Sequence, residues 1–109
     1  MKTVLVRYKT HYDKAGENEA SVHAVYDDLR RTSPAGFRYG TFKLADGASF
    51  VHFAIIDTAD GSNPLLALDS FERFQEALGE RCTEPPLVTE LVPVDSYGFL
   101  VASPSRTGT

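Results

Sequence analysis

An α+β fold, with its elements ordered β-α-β-β-α-β around one antiparallel sheet, follows from three observations on this 109-residue chain. Two segments carry apolar residues at helical spacing, one through Val22, Val25, Tyr26 and Leu29, the other through Phe71, Phe74 and Leu78. Each is flanked by runs rich in β-branched and aromatic residues. Asp46-Gly47 sits between two of those runs, a residue pair that strongly favours a tight hairpin.

Residues 3–9 read as the first strand, through Thr3, Val4, Val6 and Tyr8. The polar stretch 11–16 ends it. From Glu17 the i, i+3, i+4, i+7 set at Val22, Val25, Tyr26 and Leu29 makes one face of a helix, with Glu19, Asp27, Asp28, Arg30 and Arg31 facing water. Pro34 disfavours helical backbone at Ser33, and Gly36 tolerates positive φ, so the helix stops there. Residues 37–44 and 49–57 form the hairpin. With Asp46-Gly47 as its turn, Thr41 lies opposite His52, Tyr39 opposite Ala54 and Phe42 opposite Val51; another turn type shifts that register by one. Asn63 is placed to cap a turn that Pro64 begins. A second helix runs from Asp69 to about Cys82, joined on its apolar face by Leu68, and Pro85-Pro86 breaks it. Residues 88–94 are strand-like, with Pro93 marking an edge or bulge, and residues 97–101 read as a last short strand. The order is the ferredoxin-like, split β-α-β pattern. It fills residues 1–101 as a single domain and leaves the polar, aperiodic residues 102–109 as a flexible tail.

Composition narrows the function classes. Hydrophobic residues make up 42% and charged residues 24%, as in ordinary globular proteins. The formal charge is −4 and the eleven Lys and Arg residues are scattered, which disfavours nucleic acid as a partner. The longest apolar stretch, around Phe50 to Ile56, is too short to span a bilayer, and the N-terminus lacks the long apolar region of a signal peptide. Cys82 is the single cysteine, so no intramolecular disulfide forms, and a cytoplasmic location is expected.

Two helices cover one face of a four-stranded sheet. The other face is apolar as well: Val51, Phe53 and Ile55 alternate with Phe50, His52, Ala54 and Ile56, and Leu5 alternates with Val4, Val6 and Tyr8. Left bare, that face exceeds the roughly 300–600 Å² apolar patch of typical monomers. Pairing with a second sheet buries it, at about 25 cal/mol per Å². A homodimer is therefore expected, with residues 97–101 either reaching over the partner or folding back on their own subunit.

The order of elements, the length and the two-sided sheet resemble the dimeric α+β barrel superfamily, and within it small proteins related to the antibiotic biosynthesis monooxygenases. The likeness is carried by Tyr39-Gly40-Thr41-Phe42, Asp46-Gly47-Ala48-Ser49-Phe50-Val51-His52-Phe53, Asn63-Pro64-Leu65, Phe71-Glu72-Arg73-Phe74-Gln75 and Val88-Thr89-Glu90-Leu91. It implies a pocket between sheet and helices, and an oxidation of phenolic or polyketide-type compounds that uses neither metal nor flavin. Tryptophan often takes part in members acting on haem or anthrone-type substrates. This chain has none, so the resemblance does not extend to those two activities. The superfamily also hosts members of no known activity, which leaves open a non-catalytic dimeric module that binds a small hydrophobic ligand or serves as a scaffold.

Among the candidate residues His52 stands first. It lies in an apolar strand and titrates near working pH, so it suits the base that prepares a substrate anion to reduce O₂. It equally suits a core histidine hydrogen-bonded to Thr41 or to backbone. Tyr39 and Tyr26 can orient a phenolic substrate or serve as amphipathic core residues. Arg38 is a candidate holder of an anionic oxygen or a solvent-facing ion pair. Thr41 joins the pocket group, and Phe71 and Phe74 are candidate walls for a small aromatic ligand. His11, His23 and His52 are too dispersed for a metal motif, and no glycine-rich phosphate loop, Ser-centred elbow or CxxC occurs, so no cofactor is expected.

Overall fold

The computed structural model describes residues 1–99. Strand β1 (Lys2–Thr10) leads through a 3₁₀ turn at Tyr12–Lys14 into helix α1 (Ala15–Thr32). Strands β2 (Phe37–Lys43) and β3 (Ser49–Ile56) form the hairpin, a 3₁₀ turn follows at Pro64–Ala67, and helix α2 (Asp69–Arg81) runs directly into strand β4 (Cys82–Leu91). The strands form one sheet in the order β2-β3-β1-β4, every neighbouring pair antiparallel. This is the ferredoxin-like α+β fold.

Local chemistry sets each boundary. The α1 terminus is made by Ser33, whose left-handed backbone (φ 46°) aims its N–H at the Leu29 carbonyl, 2.7 Å away. Gly36 follows at φ 74°, and any Cβ there would lie 2.3 Å from the Asp57 carbonyl oxygen, so only glycine fits this crossing. In the hairpin turn the Asp46 carboxylate accepts bonds from the Ser49 hydroxyl and from the backbone N–H groups of Ala48 and Ser49, which hold its pKa at about 2. That turn sets Thr41 opposite His52, Tyr39 opposite Ala54 and Phe42 opposite Val51, the register expected from the sequence. Asn63 caps the turn at Pro64 by accepting a bond from the Leu65 N–H.

The C-terminal elements differ from the sequence expectation. Pro85 and Pro86 lie inside β4, which begins at Cys82 and ends at Leu91 rather than spanning 88–94. Because β4 is an edge strand bonded to β1 alone, it tolerates two residues without N–H donors. Its register with β1 shifts between Arg7 and Lys9 and again between Lys9 and Thr10, so the prolines sit at a bulged stretch. Tyr97 to Phe99 form a bend, not a strand, and the Phe99 ring meets Phe53 of its own sheet edge-on at 6.3 Å. Leu100, Val101 and the tail 102–109 lie outside the described residues.

The two faces of the sheet divide the apolar residues. Phe50, His52, Ala54 and Ile56 of β3 are buried beneath the helices, together with Tyr8 of β1, Val22 and Val25 of α1, and Phe74 and Leu78 of α2. On the opposite face Leu5, Val51, Phe53 and Ile55 are half-buried, and Phe42 and Leu87 are exposed. Among the described residues no helix is long and apolar enough to cross a membrane.

Candidate active site

The helix-facing side of the sheet carries a polar chain through an otherwise apolar core. Val6 pairs with His52 across β1 and β3, so Tyr8, two residues further along the same face, stands diagonal to the imidazole. Its hydroxyl lies 2.8 Å from His52 Nε2. On the other side of the ring, Nδ1 is 2.8 Å from the Tyr39 hydroxyl and 3.0 Å from Thr41 Oγ1, because Thr41 is the cross-strand partner of His52 on β2. Thr41 Oγ1 is in turn 2.9 Å from the Tyr26 hydroxyl on α1. At the far end, Asn18 of α1 donates its Nδ2 to the Tyr8 hydroxyl at 2.8 Å, while its Oδ1 has no hydrogen-bond partner among the described residues.

Burial governs the electrostatics. His52 is 4% exposed, and desolvation lowers its pKa to about 4, so the ring is neutral at neutral pH. Burial likewise pushes the phenols of Tyr8, Tyr39 and Tyr26 above their ordinary values. For Tyr8 the bond from Asn18 and the positive charge of Arg81 oppose that rise. Arg81 is the last residue of α2, buried, with its guanidinium 5.7 Å from the centre of the Phe74 ring. All members of the chain are therefore uncharged hydrogen-bonding groups in a low-dielectric setting, where such bonds are strong.

Two hollows meet this chain from opposite sides. A cavity of about 250 Å³ lies between the sheet and α2, walled by Val4, Val6, Ala54, Ile56, Leu65, Phe71, Phe74, Leu78 and Val88. Tyr8, Tyr39 and His52 supply polar atoms in it, and Asn63 and Gln75 add two amides. A second cleft of about 340 Å³ opens between α1 and β2, lined by Glu19, His23, Tyr26, Arg30, Tyr39, Thr41 and Lys43 among others. The cleft is the larger, but the cavity has the enclosure and convergent polar groups that a small apolar ligand requires.

The sequence candidates are distributed accordingly. His52, Tyr39, Phe71 and Phe74 all line the cavity. Thr41 and Tyr26 join the same hydrogen-bonded chain but line the second cleft instead. Arg38 does not join them: it pairs with Ile55 on the opposite face of the sheet and is exposed, as the alternation of β2 dictates. His52 bonds to Thr41, the partner that a core histidine would take, and it also faces the cavity, so the geometry satisfies both readings of that residue. Tyr8 and Asn18 are additions that sequence reasoning missed. Tyr8 follows Val4 and Val6 on one strand face, and Asn18 lies one helical turn before Val22 on the apolar stripe of α1, which were the available signals. Among the described residues no group of three or more His, Cys, Asp or Glu side chains is placed to hold a metal.

Comparison with solved structures matches this architecture. The chain superimposes on Rv0793 from Mycobacterium tuberculosis with a TM-score of 0.71 at 24% identity, covering 87% of this chain and 96% of that one. SnoaB, a cofactor-independent oxygenase from Streptomyces nogalater, gives 0.66 at 20% identity over 89% and 96%. A protein assigned as an antibiotic biosynthesis monooxygenase from Nitrosomonas europaea gives 0.71 at 14% identity over 89% and 93%. The chain has an antibiotic biosynthesis monooxygenase-like fold. No family model and no curated protein matches the sequence. At these identities the likeness is one of fold, and the chemistry rests on the site itself.

Proposed function

We propose that this protein is a cofactor-independent, monooxygenase-like enzyme that acts on an electron-rich aromatic or polyketide-type compound held in the cavity under α2. The observation that carries the proposal is the neutral His52, hydrogen-bonded on both ring nitrogens to hydroxyls, at a cavity whose walls are mostly apolar. A phenol or enol whose oxygen approaches Tyr8 can give up its proton into the Tyr8–His52 pair. The resulting anion is electron-rich enough to reduce O₂, and the apolar walls keep water from it. One oxygen atom then enters the substrate at carbon, and the other leaves as water with two substrate hydrogens. His52 is the base, acting through Tyr8; Tyr39 orients the ring, and Phe71 and Phe74 supply flat walls.

The test is oxygen uptake with a panel of naphthols, hydroquinones and polyketide-like phenols, followed by product mass. Uptake that the wild type supports and His52→Ala loses agrees with the proposal. Full turnover in His52→Ala sinks the assignment of the base. Saturable phenol binding with no uptake across the panel favours a non-catalytic ligand-binding module.

A second copy of the chain is the partner proposed for the open sheet face, where Phe42 is 55% exposed and stands beside Val51 and Phe53, with Leu5 across from Phe53 on β1. Apolar area of that kind drives association when it is buried.

A further inference from the structure

Tyr26 and Thr41 belong to the hydrogen-bonded chain yet stay out of the substrate cavity, and the function proposed above does not use them. Both line the other hollow, the cleft between α1 and β2. We propose that Thr41 and Tyr26 are the outward arm of a proton path, through which a proton taken up at Tyr8 leaves for solvent at the α1–β2 cleft. The proposal rests on the functional reading above for the source of the proton. The path itself rests on geometry alone.

The donors and acceptors along the path fix how a proton can move. Asn18 Nδ2 can only donate, so the Tyr8 oxygen receives that bond permanently and its own O–H is free to turn. In one arrangement Tyr8 donates to Nε2 of His52, Nδ1–H donates to Thr41, Thr41 donates to Tyr26, and the Tyr26 O–H points outward. When a substrate hydroxyl gives its proton to the Tyr8 oxygen, the Tyr8 proton passes to Nε2 and the Nδ1 proton passes to Thr41 Oγ1. The Thr41 proton passes to Tyr26, and the Tyr26 proton passes to water. Each O–H or N–H bond broken is replaced by one formed. The final arrangement has Nε2 protonated, Nδ1 accepting from Thr41, and the Tyr8 O–H donating to the substrate anion. One proton has moved along the helix-facing side of the sheet from the cavity to the cleft, and His52 has changed tautomer without becoming a resident cation.

This resolves an otherwise awkward feature of the site. A buried imidazole that strongly resists protonation is a poor proton store, but a relay never needs to store one. The heavy-atom separations along the path, 2.8, 3.0 and 2.9 Å, are all within hydrogen-bond reach. At the outer end the cleft offers His23 and Glu19 as exchange partners beside Tyr26, although Glu19 is also paired with Lys43 at 3.1 Å. Tyr39 shares Nδ1 with Thr41, but it also faces the cavity, so Thr41 is the branch committed to the outside. Thr41 and Tyr26 are positioning residues on this view, since neither touches the substrate.

The experiment reads the path without any substrate. In the full-length protein with ¹⁵N-labelled histidine, NMR measures exchange of the His52 ring proton with water, alongside exchange of the β3 backbone amides. The expected result is a His52 ring proton that exchanges far faster than those amides. Tyr26→Phe and Thr41→Val should each slow it by about tenfold or more, a modest part of the 10²–10⁴-fold that positioned proton transfer contributes. Thr41→Ser, which restores the hydroxyl, should recover the wild-type rate, and the amides should not change. Ring exchange as slow as the amides in the wild type, or unaltered exchange in Tyr26→Phe, overturns the path. If Thr41→Val does not fold, Tyr26→Phe and Thr41→Ser still decide. Absence of oxygen uptake with phenols, beside a normal exchange pattern, overturns the functional reading and leaves the path standing.

Discussion

The Tyr8 hydroxyl lies 2.8 Å from Nε2 of His52, and that contact joins two central strands through a tyrosine 2% exposed and a histidine 4% exposed. Removing the hydroxyl leaves two buried groups, Nε2 and the Asn18 amide, without the partner each has now. Tyr8→Phe should therefore cost ~1–3 kcal/mol, the penalty for an unsatisfied buried polar group, even though the ring still fills its place. Urea unfolding measures this. In the activity assay the same variant should lose about 100-fold or more, the lower end of what a positioned proton-transfer group contributes. A Tyr8→Phe protein with full stability and full turnover would show that the contact is incidental.

Asn18 should behave in the opposite sense. It is fully buried on the apolar stripe of α1, and its Oδ1 lacks a partner among the described residues, so it already carries a desolvation penalty. Asn18→Leu replaces it with a residue of similar size that suits the stripe. Stability should hold or rise by up to ~1 kcal/mol, while turnover falls because the Tyr8 oxygen loses its fixed donor. Thermal melts and oxygen uptake, compared in one preparation, separate the two effects.

The pH dependence of stability follows from His52. Its pKa falls from 6.5 to about 4 on folding because burial disfavours the charged ring. Between those values the unfolded chain binds the proton and the folded chain does not, so stability drops as pH falls from 6.5 toward 4. The full difference is about 3 kcal/mol, at roughly 1.4 kcal/mol per unit. Asp46, held at about 2 by its turn bonds, loses most of its contribution below its ordinary 3.8 and adds only a small slope at the acid end of this window. Urea midpoints across pH 4 to 6.5 should slope in the wild type and flatten in His52→Gln. Equal slopes in the two proteins would assign the effect to another group.

Much of this architecture is legible in the sequence. Asp46-Gly47 fixes the hairpin register, and the register alone brings Thr41 to Nδ1 of His52. The apolar spacing of α1 and α2 gives both helices, since period 3.6 leaves no other way to bury Val22, Val25 and Leu29 together. The prolines mislead because their effect depends on strand neighbours: Pro85-Pro86 reads as a breaker until β4 is known to be an edge. Tyr8 and Asn18 escape for a related reason. Each sits on a predicted apolar face, and only the three-dimensional approach of α1 to β1 turns two core positions into one polar pair.

Gly36 controls whether β2 reaches its place. With φ at 74° and the Asp57 carbonyl 2.3 Å from where a Cβ would sit, Gly36→Ala must both strain the backbone and push the two chains apart. Strain of this kind costs about 1–3 kcal/mol before the clash is counted. The displaced segment leads directly into Tyr39 and Thr41, so the variant should also loosen both bonds to Nδ1. A lowered melting temperature together with a shifted His52 ring resonance is the expected result. A wild-type ring resonance would mean that the hairpin absorbs the change before Tyr39.

The open sheet face gives the last prediction. Phe53 stands in its middle, meeting Phe42 edge-on at 6.0 Å and Phe99 at 6.3 Å, with half-buried neighbours Val51 and Ile55 on its own strand. A glutamate at that position has room for its charge in a monomer, where the face is wet, and none between two stacked sheets, where an unpaired carboxylate would be desolvated. Phe53→Glu should therefore fold and run as a monomer in native mass spectrometry, while the wild type runs as a dimer. The helix-side network is on the other face, so His52 should keep its lowered pKa in the variant. A dimer that survives Phe53→Glu would place the contact between subunits elsewhere, and a monomeric wild type would mean that Phe42, Phe53 and Phe99 cover enough of the face within one chain.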